Sequence, residues 1–173
     1  SEIVVGKALG DGYRAKVKLA TKMPTWMINS RDDMGKYLNE QLNRLQTDHV
    51  DFYLLHGPNK ERWAKMRELG ALEWAKKAID EGKVRHLGFS FHDDLETFKV
   101  IIDEYDGWTL CQIQYNFENE VLQAGTKGLK YAADKGLAVV IMEPLLGGYL
   151  VNPPNEVQKI WDDANRNPVD MAL

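Results

Sequence analysis

Short apolar segments that end at one polar or ionisable residue recur along this sequence at regular spacing. Val17–Lys22 ends in a lysine, and Val50–His56 ends in a histidine 34 residues later. Ser90, Asn116 and Glu143 follow three further apolar segments, at steps of 34, 26 and 27 residues. This spacing is typical of βα units, in which a strand, a helix and the next parallel strand follow one another. We therefore expect an α/β fold.

The segments between these strands carry helical patterns. Apolar residues in segment 31–45 recur every three or four positions, and a second helical region, 61–81, breaks near Gly70. The first strand is predicted at Val17–Thr21 and is followed by Lys22. Strands joined in this way place their carboxyl ends on one rim, so we expect Lys22 and His56 to lie side by side there.

Alternating βα units build either a doubly wound sheet or a barrel. No G-x-G-x-x-G sequence follows a predicted strand, which disfavours the dinucleotide-binding doubly wound sheet. We therefore predict a single domain of the (β/α)8 TIM-barrel type over residues 1–173. Five strands do not close such a barrel, so we expect it to be incomplete at both ends. Its open edges would pair with further strands of a longer barrel or with another chain.

Composition limits the classes of function. The formal net charge of −4, with scattered basic residues, argues against a nucleic acid or an anionic membrane as partner. The single cysteine, Cys111, excludes an internal disulfide and a metal or iron–sulfur site built from cysteines. No apolar run approaches the roughly 20 residues that span a membrane, and no signal peptide opens the sequence. We therefore expect a cytoplasmic protein.

Six motifs, in order along nearly the whole chain, resemble those of the aldo-keto reductase family. They are Ser1-Glu2 with Gly6 and Leu9, Leu19-Ala20-Thr21-Lys22, the segment from Leu42 to His56, Gly82-Lys83-Val84-Arg85 with Gly88-Phe89-Ser90, Gln112 with Gln114-Tyr115-Asn116, and Pro144-Leu145 with Gly147 or Gly148. The sequences around His92 and Glu143 most resemble a branch that often carries a carboxyl-terminal iron–sulfur module. With one cysteine, these residues contain no such module.

The resemblance implies a (β/α)8 barrel, of which this chain supplies about strands 3–7. It also implies the reversible reduction of an aldehyde or ketone by NADPH or NADH. Lys22 and His56 match the lysine and histidine of the family's catalytic tetrad, in which lysine stabilises a tyrosine phenolate and histidine orients the carbonyl oxygen. The tetrad's aspartate and tyrosine normally precede the Ser-Glu motif, so we expect these 173 residues to be inactive alone.

The resemblance also assigns cofactor-binding residues. Gln112 and Ser90 match residues that hold the nicotinamide carboxamide, although Phe91 replaces the asparagine that often follows this serine. Glu143 stands where many members carry an aromatic residue that stacks on the nicotinamide, and a carboxylate cannot stack. Backbone N–H groups of the next loop could reach the pyrophosphate, since glycines allow close approach. The residues of this loop are Leu145, Leu146, Gly147 and Gly148.

Trp26 follows the lysine strand, in a loop where substrate contacts are common, and is our candidate wall of the substrate pocket. Each assignment has a structural alternative: Lys22 as a solvated charge, His56 as a histidine satisfied by its neighbours, and the loop after Glu143 as a simple turn. Helix capping accounts for Asp93 and Asp94, so we predict no metal site. A barrel that binds a nucleotide or a protein partner without turnover is the alternative function. A metal-dependent hydrolase is disfavoured, because only one histidine ends a strand.

Overall fold

The computed structural model describes residues 1–173 as a five-stranded parallel sheet with helices between successive strands. The strands lie in the sheet in the order in which they occur in the sequence, and every neighbouring pair is parallel. Their bounds are β1 Ala20–Pro24, β2 Val50–His56, β3 Val84–Phe91, β4 Trp108–Gln114 and β5 Ala138–Met142. A doubly wound sheet reverses its strand order at a switch point, whereas consecutive order is the arrangement of a barrel. The observed order confirms the prediction of a barrel type.

Eight α-helices accompany the strands, with short 3₁₀ segments at Tyr13–Lys16, Thr25–Met27 and Leu146–Val151. The helices are α1 Glu2–Ala8, α2 Arg31–Leu45, α3 Lys60–Glu68, α4 Ala71–Asp80, α5 Leu95–Asp103, α6 Gly125–Asp134, α7 Asn155–Asp163 and α8 Pro168–Ala172. The predicted helix at 31–45 and the predicted break near Gly70 are both confirmed. None of the eight helices combines the length and the apolar character that a membrane-spanning segment requires.

The helix α2 shows how the local sequence sets these bounds. The carboxylate of Asp33 accepts hydrogen bonds from the N–H groups of Asn29 and Ser30, which fixes the first turn. Gln46 ends the helix in the left-handed conformation, with φ of 55°. Between these ends, apolar residues at helical spacing are buried against the sheet. They are Met34, Leu38, Leu42 and Leu45.

The main core lies between the helices and one face of the sheet. Alternate residues of the strands enter it, among them Tyr53 and Leu55 from β2 and Phe89 and Phe91 from β3. Phe98 of α5 packs against both β3 rings, with centroids 5.7 and 5.1 Å away. Because side chains alternate along a strand, the intervening residues face the opposite, concave side of the sheet. That side corresponds to the interior of a barrel.

Two details of the strands differ from the prediction. The first strand begins at Ala20 and not at Val17, because the preceding residue, Leu19, is held by Asp51: the Leu19 N–H donates to the Asp51 carboxylate at 2.9 Å. An unbroken apolar segment such as Ala138–Met142 is typical of a strand that is buried on both faces, so burial of β5 would be predicted. The strand β5 is an edge strand in which Val140 is 44% exposed, since only β4 pairs with it.

Candidate functional site

One row of side chains crosses the concave face near the carboxyl ends of the strands. The register pairs Pro24 with His56, His56 with Ser90, Ser90 with Gln112, and Gln112 with Val140. Partners in a parallel register project to the same face of the sheet. Three candidates predicted from the sequence, on three neighbouring strands, therefore lie side by side.

Lys22 lies one row deeper than expected. It is inside β1 and pairs with Leu54, whereas Pro24 pairs with His56. Lys22 and Leu54 therefore share the concave face with His56, which follows Leu54 by two residues. The Lys22 side chain is partly buried, and this burial lowers the pKa of its ammonium group. The structure thus brings Lys22 and His56 onto the same face in adjacent rows.

A hydrogen-bond network behind β1 holds Lys22 in place. The buried amide of Gln41 donates to the Lys22 carbonyl at 2.8 Å and accepts from the Tyr53 hydroxyl at 2.7 Å. Gln41 also donates to Glu2 at 3.0 Å, and Thr21 donates to the same carboxylate oxygen at 2.7 Å. Sequence reasoning missed this role of Gln41. A polar residue on the apolar side of α2 was the available signal.

His56 is partly buried at the end of β2, with its backbone fixed and its ring in contact with Trp26. The Thr25 hydroxyl donates to the His56 carbonyl at 2.7 Å. The Trp26 and His56 rings meet edge to face with centroids 4.9 Å apart. Burial, with smaller contributions from Lys22, His92 and Arg62, lowers the pKa of His56. The imidazole is therefore neutral at pH 7 and can donate one hydrogen bond.

Ser90 and Gln112 differ in whether their side chains form hydrogen bonds within the protein. Ser90 is fully buried, and its hydroxyl oxygen accepts a long hydrogen bond, 3.4 Å, from the Gly57 N–H. Its own O–H is therefore free to donate. The partly exposed Gln112 amide has no hydrogen-bond partner in the protein and is open to solvent.

Glu143 follows β5 with a positive φ of 53°. Its carboxylate accepts from the amide of Gln114 at 3.2 Å, and Gln114 in turn accepts from Gln123 at 3.1 Å. Gln123 Oε1 is the one buried side-chain atom without a partner. This chain of amides extends the concave site at the rim, and the roles of Gln114 and Gln123 were not predicted from the sequence. The alternation of Gln112 and Gln114 along β4 places both on this face.

The glycine loop after Glu143 is a 3₁₀ segment in which Gly147 and Gly148 have φ of 65° and 93°. The Leu146 N–H donates to the Glu143 carbonyl at 3.0 Å, and the Gly148 N–H donates to the Leu145 carbonyl at 2.9 Å. Two of the donors considered for a pyrophosphate are thus engaged within the loop in this conformation. Their role toward a cofactor stays a prediction.

The acidic residues after β3 cap helices. Asp94 accepts from the Thr97 N–H at 2.8 Å at the start of α5, and Asp93 accepts from the Lys60 N–H at 3.3 Å at the start of α3. No group of three or more His, Cys, Asp or Glu residues is arranged to hold a metal ion. The observed contacts agree with capping as the reason for both acids.

These observations define a class of protein. A parallel sheet with consecutive strand order and polar side chains at the carboxyl ends is the layout of a (β/α)-barrel enzyme. Within that class, residues 1–168 match the Aldo/keto reductase family. The chain therefore belongs to the aldo/keto reductase family.

Individual relatives agree with this assignment. The aldo-keto reductase YhdN of Bacillus subtilis is 30% identical over 178 residues, covering 96% of this chain and 50% of YhdN. The methylglyoxal reductase YeaE of Escherichia coli is 33% identical over 76% of this chain and 42% of its own length. A crystal structure of an aldo/keto reductase from Klebsiella pneumoniae, in complex with NADP and acetate, superimposes with a TM-score of 0.78 at 25% identity. It covers 98% of this chain and 59% of that structure.

The chain spans about half the length of the curated relatives that it matches. The observed sheet accordingly corresponds to part of a (β/α)8 barrel. This agrees with the expectation of about five barrel strands.

Proposed function

We propose that this protein transfers a hydride between NADPH and an aldehyde or ketone, with Lys22 and His56 as catalytic residues. One observation carries the proposal: these two side chains share the concave face of the sheet in adjacent rows, at the carboxyl ends of neighbouring strands. Both positions match the family motifs, and the family is established by the match over residues 1–168. The alternative is a barrel that binds a nucleotide or partner without turnover.

The two residues would contribute different effects. A neutral His56 imidazole can donate a hydrogen bond to the carbonyl oxygen and stabilise the negative charge that develops there during reduction. A phenol has a pKa near 10, so it donates a proton poorly at neutral pH unless a nearby cation stabilises the phenolate. Lys22 would supply that cation to a tyrosine, as in the family mechanism. Its partial burial strengthens this effect, because fewer water molecules screen the ammonium.

Gln112 and Ser90 fit a nicotinamide carboxamide. The Gln112 amide has no protein partner, and the Ser90 hydroxyl retains a free donor in the neighbouring row position. Together they can pair with both the C=O and the NH₂ of a carboxamide. When bound, the cofactor supplies the hydride. Glu143 and the loop of Leu145, Leu146, Gly147 and Gly148 would contact other parts of the same cofactor.

The proposal includes a small carbonyl substrate, with Trp26 as a wall of its pocket because the Trp26 ring contacts the His56 ring. We further propose a cytoplasmic location, no nucleic-acid partner, and association through the edges of the sheet where β1 and β5 each lack a second neighbour.

Steady-state kinetics test the catalytic assignment. In a polypeptide that also supplies the tetrad's aspartate and tyrosine, we expect NADPH oxidation in the presence of methylglyoxal, the substrate named for YeaE. In Lys22→Met and His56→Ala, kcat/KM should fall by about 10²- to 10⁴-fold, because a positioned proton-transfer or charge-stabilising group contributes on that order. Lys36→Met and His49→Ala are matched controls. Lys36 is exposed on α2, and His49 lies before the first residue of β2, at the opposite end of the sheet.

Two results would count against the proposal. Unchanged kcat/KM in both site variants would remove Lys22 and His56 from the catalytic step. Binding of NADPH, seen by fluorescence titration, without turnover of methylglyoxal or other aldehydes would favour the non-catalytic alternative.

A further inference from the structure

A cavity of about 310 Å³ opens beside His56 at the carboxyl end of the sheet. The His56 imidazole forms one side of it, and the loop after β2 and the first turn of α3 form the others. The lining residues are Trp26, His56, Gly57, Pro58, Asn59, Arg62, His92 and Asp93. Only one of these is hydrophobic, so the cavity suits a polar ligand.

Some of the hydrogen-bond donors of Arg62 have no partner within the protein. Its Nη1 donates to the Gly57 carbonyl at 3.0 Å, which holds the guanidinium over the loop. The guanidinium carbon lies 5.9 Å from the centre of the Trp26 ring. No carboxylate pairs with Arg62, and its remaining N–H groups are not buried. Arginine presents a planar pair of donors that matches the two oxygens of a carboxylate.

The single acid in the cavity, Asp93, already uses both carboxylate oxygens in hydrogen bonds with the backbone. Asp93 uses one carboxylate oxygen for the Lys60 N–H and the other for the Asp94 N–H. Facing it are the cation of Arg62 and the imidazoles of His56 and His92. After the larger effect of burial, Lys22, His92 and Arg62 each lower the pKa of His56, and no carboxylate is among the causes that act on it.

We propose that Arg62, with His92 beside it, binds a carboxylate of the substrate while His56 of the same cavity meets the carbonyl oxygen. The protein would then act on short oxo-acids in preference to neutral aldehydes. This inference rests on the proposed reductase function and deepens it, because it names the substrate class. Arg62 is the specificity-determining residue.

The test compares two substrates that differ mainly in charge, 4-oxobutanoate and its methyl ester. We expect the wild-type protein to favour the acid by about 10- to 100-fold in kcat/KM, the range of a charge-assisted pair of hydrogen bonds. Arg62→Gln should bring this ratio near 1, whereas Arg62→Lys should keep part of it. The matched control is Arg67→Gln on the same helix, whose native partner is Glu104 at 2.6 Å. Its ratio should equal that of the wild type.

A ratio near 1 in the wild type, or an unchanged ratio in Arg62→Gln, overturns the inference and leaves the reductase function standing. Turnover of neither substrate by a polypeptide that carries the complete tetrad is a failure of the reductase function, and a binding experiment then tests the anion site by itself. Succinate, which cannot be reduced, is titrated while the imidazole NMR signals of His56 and His92 are followed. Shifts in the wild type that are lost in Arg62→Gln support the site, and absence of shifts overturns it.

Discussion

Asp51 is a buried carboxylate at the amino end of β2, far from the candidate site. It contacts Arg14 at 3.0 Å, Lys18 at 3.5 Å and Arg85 at 3.2 Å, and it accepts the Leu19 N–H at 2.9 Å. Burial alone would raise its pKa, but the Leu19 N–H, Arg14 and Lys18 outweigh burial and lower the pKa to about 2. The contact between Asp51 and Arg85 joins the amino ends of β2 and β3. In a barrel this end serves stability and not catalysis.

Asp51→Asn should therefore destabilise the protein at neutral pH. The amide can still accept the Leu19 N–H, but the buried position no longer offers a negative charge to Arg14, Lys18 and Arg85. We expect a loss of about 2 to 4 kcal/mol in the free energy of unfolding, measured by urea denaturation at pH 7. Asp48→Asn is the control, because the Asp48 side chain is 93% exposed and pairs only with His49. It should change the free energy by less than about 0.5 kcal/mol.

The same pair of variants gives a pH dependence of known sign. A carboxyl group whose pKa is lowered on folding adds stability above its unfolded pKa and loses it as pH falls through the folded pKa. The advantage of the wild type over Asp51→Asn should be full above about pH 5 and should shrink between about pH 4 and pH 2, the interval from the ordinary 3.8 to about 2. An advantage that persists unchanged at pH 2 would contradict the ionised form as its source.

Individual site residues differed in how well the sequence revealed them. His56 and Ser90 were recognisable because each ends or follows an apolar segment, whereas Gln112 was assigned by the family resemblance. The register sets the three side by side. Gln41 and Arg62 were not recognisable. Their roles depend on which loop or strand a helical side chain reaches, and helical periodicity does not specify that.

At the scale of elements, two helical glycines have opposite roles. A Cβ on Gly6 of α1 would lie 2.5 Å from the Arg44 carbonyl oxygen and 2.8 Å from the Leu45 carbonyl carbon, both in the backbone of α2. A Cβ on Gly35 of α2 would meet nothing nearer than Trp74 Nε1, at 3.8 Å. Gly6 therefore permits two helices to touch, whereas Gly35 only weakens its own helix.

We expect Gly6→Ala to destabilise the protein by about 1 to 3 kcal/mol, because α1 must move away from α2. Gly35→Ala should stabilise it by about 0.5 to 1 kcal/mol, because alanine reduces the entropy cost of the helix. Thermal unfolding followed by circular dichroism measures both changes. Displacement of α1 would also pull Glu2 away from Thr21 and Gln41, so Gly6→Ala should lower reductase activity more than its stability loss explains. Equal effects of the two substitutions would refute this role of Gly6.

Elements with strong local signals were predicted with accurate bounds. The helix α2 has the residues that periodicity indicated, 31–45, and Gly70 separates α3 from α4 with φ of 71°. The strand β1 begins three residues later than predicted. The cause is a contact between Leu19 and Asp51, 32 positions apart. Local composition does not predict a contact between residues so far apart in the sequence.

At the scale of the whole molecule, the sheet has two edges, β1 and β5. Spacing along the chain predicted parallel βα units, and the consecutive strand order agrees with a barrel. The exposure of β5 was not predicted, because the sequence of an apolar strand does not distinguish an edge position from a central position in a sheet. Val140 is 44% exposed, and Ile141 and Met142 are only partly buried.

A polypeptide of these 173 residues should therefore self-associate through β5. An edge strand offers a row of unpaired backbone N–H and C=O groups, and here it also carries exposed apolar side chains. Analytical ultracentrifugation should detect dimers or larger species. Val140→Lys should shift the distribution toward monomer, because a charge on an edge strand opposes pairing with another strand.

The control is Val100→Lys, since Val100 is similarly exposed, at 46%, but lies on α5. If Val100→Lys disperses the assemblies as well as Val140→Lys does, general surface apolarity and not the β5 edge drives the association.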